Sequence, residues 1–190
     1  MCLKILEDSR LYALLLKIDG DLAELARVAG CACGGVLHRA SYPRKPRAGE
    51  VVAQPDGYDR RHSFCCAADG CRRRMTPASV RFLGPKVYLG AVVALVTALR
   101  HGANARRAAE IRRAIGASRR TLARWRTWWR EIFTVTPFWR TARARWVPPV
   151  SEAAMPASLL ERFVEEDDAL RLVRLLDLVK PVTTSSGAAI

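Results

Sequence analysis

Five of the chain's six cysteines fall in two groups, Cys31-Ala-Cys33-Gly-Gly and Cys65-Cys66 with Cys71 five residues on, and residues 34–64 lie between them. No other feature constrains the fold as strongly. The intervening texture is Gly, Pro and short alternating runs, too polar to build its own core, and a small segment of that kind folds on a metal or on disulfides. Four thiolates on two separate turns supply the tetrahedron zinc takes, so the expectation is a small zinc ribbon. Strand alternation puts His62, Phe64 and Cys66 on one face and Ser63 with Cys65 on the other. The expected ligands are therefore Cys31, Cys33, Cys66 and Cys71, with Cys65 the substitute and His38 a remote further candidate. Buried free thiols, or disulfides in an oxidising compartment, are the alternatives. One or two cysteines could serve as small hydrophobes, but five need another explanation. Asp69 is the only acid near the second group, so the metal is expected to be structural rather than catalytic.

The compartment supports the metal reading. Lys4, Glu7, Asp8 and Arg10 interrupt the first ten residues, and no basic region is followed by an apolar stretch and cleavage site. A reducing cytoplasm is expected, where clustered cysteines are metal ligands before they are disulfides. The longest apolar stretch, Val87 to Leu99, contains Gly90 and Thr97 and falls short of the roughly 20 residues a membrane helix needs.

Charge is distributed unevenly. Residues 38–86 carry 11 basic against 4 acidic side chains and residues 100–146 carry 13 against 2, whereas 1–37 and 147–190 are slightly acidic. All 13 basic residues of 100–146 are Arg, and all five Trp lie there. GC-rich coding could favour Arg over Lys. It does not account for a localised excess, which is the electrostatic footprint of a nucleic-acid partner.

Four segments follow from periodicity and punctuation. In 1–30, Ser9–Ile18 and Asp21–Val28 read as a helical hairpin with stops at Gly20 and Gly30. Residues 31–84 are the ribbon, with the basic loop Arg44, Lys45 and Arg47. Residues 85–147 hold an apolar helix from Tyr88 to Leu99 and two more over 105–115 and 118–133. Beyond Pro148-Pro149, 148–190 holds two amphipathic helices at about 157–166 and 168–179 and a frayed tail. The fold class expected is mainly α with a small β zinc ribbon and a helix-turn-helix bundle.

The helix-turn-helix reading rests on Ile111 to Trp125. Gly116 permits a tight turn, and Ser118 caps the second helix by accepting from the Thr121 amide. Leu122, Trp125, Trp129 and Ile132 form the packing stripe, which leaves Arg120, Arg124 and Thr127 pointing away, flanked by Arg119, Arg126 and Arg130. Arg119, Arg120 and Arg124, with Thr121, would lie at or near base edges in the major groove. Arg126, Thr127, Arg130, Arg112 and Arg113 would hold phosphates. The competing reading is an ordinary hairpin with a solvated basic face. The aromatic cluster around Trp125, Trp129 and Phe133 is expected to be core, with Trp128 the residue that could stack on a base.

In order, Cys31-Ala-Cys33-Gly-Gly, Phe64-Cys-Cys-x4-Cys71-Arg-Arg-Arg-x-Thr76-Pro77 and Gly116-Ala-Ser-Arg-Arg-Thr-Leu-Ala-Arg-Trp125 resemble bacterial zinc-ribbon plus helix-turn-helix proteins and transposase N-terminal regions. The resemblance covers residues 31–133. It implies a DNA-binding factor of a mobile element, in which Arg72, Arg73 and Arg74 lead from the ribbon into the helices. The expected function is sequence-specific recognition of double-stranded DNA, the alternative being an RNA or ribonucleoprotein module. No enzymatic role is expected: no phosphate-binding loop, nucleophile elbow or deaminase motif occurs, and there is no room for a ribonuclease-like transposase domain. A bacterial, nucleoid-associated location is expected. The apolar C-terminal helices point to a homodimer or a recombinase partner.

Overall fold

The computed structural model describes residues 3–44, 54–83, 88–99, 109, 113 and 118–184. A 3-10 turn over Leu3–Glu7 enters helix α1 (Ser9–Ala29), whose N-terminus is capped by Asp8 accepting from the Arg10 amide at 2.9 Å. The expected hairpin is not formed, because α1 runs unbroken through Gly20. Leu11, Tyr12, Leu15, Asp19 and Ala23 make one buried stripe along its length. Burying that stripe outweighs the roughly 1 kcal/mol that a helical glycine costs against alanine.

Strands β1 (Leu37–Arg39), β4 (Phe64–Cys66) and β5 (Arg74–Met75) form an antiparallel sheet in the order β1-β4-β5. Between them, β2 (Tyr42–Pro43) pairs with β3 (Arg60–Arg61), and later β6 (Phe82–Leu83) pairs with β7 (Tyr88–Leu89). Helix α2 (Gly90–Leu99) follows directly. Its buried side chains include Val92, Val93, Ala94 and Val96, and a helix that apolar belongs in the middle of a core. Packed on it are the Leu3–Glu7 turn, α3 (Arg119–Thr127), α5 (Ala157–Leu160) and α6 (Asp168–Val179), with α4 (Pro137–Ala142) joining α3 to α5. At Gly90 a Cβ would come within 3.0 Å of Leu176 and of the Val80 carbonyl, so only glycine permits this approach.

The architecture is thus mostly helical with a small antiparallel sheet. One core cluster runs from Leu6 to Val182, and a second, smaller one lies under the ribbon around Ala23, Cys31, Leu37, Phe64 and Cys66. Segments 1–30, 85–147 and 148–190 therefore share a core instead of standing as separate modules. In particular Leu172, Val173, Leu175, Leu176 and Val179 are buried within the chain, so their apolarity is satisfied without a partner. The helix expected over 157–166 stops at Leu160, and Asp167 caps α6 by accepting from the Ala169 amide at 2.7 Å. The helix expected over 105–115 and the Gly116-Ala117 turn lie outside the described residues, as do Lys45, Arg47 and Arg112. Among the described residues no helix is long and apolar enough to cross a membrane.

Candidate functional site

Two turns bring four sulfurs together. In the first, the Gly34 amide donates to the Cys31 carbonyl at 2.8 Å and the Cys31 amide to the Gly35 carbonyl at 3.1 Å, which folds Cys31 and Cys33 onto one side. In the second, β4 delivers Cys66, and the Cys71 amide donates to the Ala68 carbonyl at 3.1 Å. The Sγ atoms of Cys31, Cys33, Cys66 and Cys71 all lie within 4.8 Å of one another, with Cys31 to Cys71 at 3.8 Å and Cys33 to Cys66 at 3.5 Å. A tetrahedral ion with metal–sulfur bonds of about 2.3 Å puts its sulfurs roughly 3.8 Å apart, so the cluster has the dimensions of a metal site. The separations are far longer than the S–S bond of about 2.05 Å in a disulfide.

The setting is tight and electrostatically uneven. A Cβ on Gly35 would meet Cys66 Sγ at 2.6 Å, Ala68 Cβ at 2.9 Å and Cys33 Sγ at 3.3 Å, so glycine is what lets the first turn close over the second. The Cys33 thiol is drawn down to about 7, chiefly by the backbone hydrogen bond from Gly35 and then by the neighbouring thiols. For Cys66 the Ala68 backbone acts to lower the value, but burial and the adjacent sulfurs outweigh it and push the thiol up to about 12. Cys65 faces the other way, its Sγ 3.5 Å from the Arg72 carbonyl. Across the sheet His38, Cys65 and Arg74 stand in register, so His38 belongs to that opposite row and not to the cluster.

The second group of expected site residues lies on α3. Ser118 Oγ accepts from the Thr121 amide at 3.2 Å. Leu122, Trp125 and Trp129 are buried, which turns Arg119, Arg120 and Arg124 to solvent together with Thr127 and Arg130, while Thr121 and Arg126 are half-buried. Ile132 departs from the expected stripe. Trp128–Ile132 is a π-helical turn, and the extra residue it takes up leaves Ile132 exposed and puts Phe133 into the core. Phe133 there packs on Trp129 and Trp139, each at 5.2 Å between ring centroids, with Trp128 half-buried at their edge. On the ribbon, Arg72, Arg73 and Arg74 are exposed, and the Arg44 and Arg74 guanidiniums lie 5.0 and 5.8 Å from the Tyr42 ring centroid. Arg113 is exposed.

Sequence reasoning missed a fully buried ion pair between Asp19 of α1 and Arg81, at 2.7 Å. Asp19 also accepts from the Val80 amide at 2.7 Å and from the Ser79 hydroxyl. Arg81 donates onward to the carbonyls of Tyr58 at 2.6 Å and Arg60 at 2.8 Å. The pair thereby ties α1, the turn before β3 and the strand leading to α2 at one point. A charged residue inside a helical stripe is the signal that could have pointed to it.

No known family model matches the chain, and comparison with curated proteins and with solved structures gives no match to either.

Proposed function

We propose that the chain is a zinc-stabilised protein that reads double-stranded DNA by sequence, acting by binding rather than catalysis, as an end-recognition or regulatory factor of a mobile element in the bacterial cytoplasm. The observation that carries this reading is α3: a capped helix locked into the core by Leu122, Trp125 and Trp129 while Arg119, Arg120 and Arg124 face outward. Guanidiniums so placed can meet guanine O6 and N7 in pairs. The four-sulfur donor set suits zinc, which would be structural because four protein ligands leave no open position for water. A second copy of the chain or a recombinase would dock on what the C-terminal segment leaves exposed, including Val164 and Leu170.

Elemental analysis should find about one zinc per chain. Labelled duplex binding, competed by duplex, single strands and structured RNA at one salt concentration, should favour the duplex. Arg120→Ala and Arg124→Ala should each cost about 1–3 kcal/mol on the specific site alone, whereas Arg130→Ala should weaken all sequences alike and lower the salt slope by about one. Equal losses on specific and random duplexes would reduce α3 to a phosphate contact, and stronger competition by RNA would replace the DNA reading.

A further inference from the structure

Beside the ribbon, a half-open cleft of about 510 Å³ lies between the Arg39–Ser41 segment and the turn leading into β3, with Leu16 of α1 and His62 contributing to its walls. That volume lies in the range of small-ligand sites and exceeds what a bare phosphate needs. Two guanidiniums line it. Arg39 is exposed, with only a loose contact to Glu24 at 3.8 Å, and Arg60 is exposed with one Nη2 hydrogen bond to the Ser41 carbonyl at 3.1 Å, which fixes its course along the lip. Asp56 is the single acid of the lining.

The cleft's lower lip is held from behind. Arg81 grips the carbonyls of Gly57, Tyr58 and Arg60 while Asp19 fixes Arg81, so the costliest polar feature of the fold immobilises the turn that carries Arg60. A wall fixed before a ligand arrives loses little entropy on binding. The cleft also adjoins β2, whose neighbour Arg44 extends the positive charge along the same edge.

We propose that this cleft seats one nucleotide unit of a nucleic-acid strand, its phosphate between Arg39 and Arg60 and its sugar or base edge over Leu16. The inference rests on the nucleic-acid reading above and adds a contact region apart from α3. Exposed guanidiniums flanking an open channel suit a polyanion that continues past both ends, whereas a free phosphate compound would be better served by an enclosed site.

The test uses the full, metal-loaded chain and the anisotropy of a labelled DNA duplex over a salt series. Arg39→Gln/Arg60→Gln should weaken binding at least about tenfold and lower the slope of log K against log salt by about two. Arg10→Gln/Arg174→Gln removes the same charge from exposed positions outside the cleft and should change affinity less than about twofold, and Asp56→Asn should tighten binding. Unchanged melting curves establish that each variant is folded. If the cleft double variant binds like its charge-matched control while Arg120→Ala and Arg124→Ala lose affinity, the inference fails and the α3 reading stands. If wild type binds no nucleic acid, both fail. If inorganic phosphate shifts the His62 ring resonances but the cleft variants bind DNA normally, a free phosphate compound is the occupant and the proposal is overturned.

Discussion

Gly35 matters to the sulfur cluster as much as a ligand does. Its hydrogen atom sits where a methyl group would press on Cys66 Sγ and Ala68, so Gly35→Ala must open the first turn. The substitution should weaken metal retention about 10- to 100-fold, as changes just outside a ligand set do, and competition with a chromophoric chelator would read it. Acid should act in the same direction. Cys66 holds its proton up to about 12 without metal, so binding displaces protons and affinity falls as pH falls, which metal release followed during an acid titration would measure. At the other buried polar point, Asp19→Ala leaves Arg81 charged, buried and unpaired, and should cost about 3–5 kcal/mol in urea unfolding. Asp19→Leu combined with Arg81→Met should lose less, because no uncompensated charge remains.

At the level of elements, Gly20 is the informative position in α1. Nothing lies within 4 Å of a Cβ built there, so Gly20→Ala should stabilise the chain by about 0.4–1 kcal/mol, seen as a higher melting temperature. The same position shows what a sequence discloses. Gly20 reads as a stop because punctuation is local, whereas the decision to continue is made by Asp19, whose partner is 62 residues away. Short-range features were readable: the Ser118 cap, the buried run Leu122, Trp125 and Trp129, and the strand alternation that sets Cys66 apart from Cys65. Ile132 was not, since a π turn inserts one residue into a pattern that assumes constant pitch. Nor was the burial of α6, because an apolar helix face carries no mark of whether its cover comes from the same chain.

For the molecule as a whole, two cores of unequal size share one helix. Leu11, Tyr12 and Leu15 of α1 belong to the large core and Ala23 to the small one under the ribbon. Chelation should therefore strip hydrogen-exchange protection from residues 31–75 while α2, α5 and α6 keep theirs. Simultaneous loss in both regions would mean that α1 transmits the collapse. The reach of the large core also governs the order of events during synthesis. It joins Leu6 to Val182, so α2, apolar on nearly every side, emerges from the ribosome long before α6 can cover it. The ribbon, complete by residue 75, needs only its metal to close. The nascent chain thus carries a finished, stapled ribbon beside an uncovered helix, and the interval before residue 182 is made is when it depends most on chaperones.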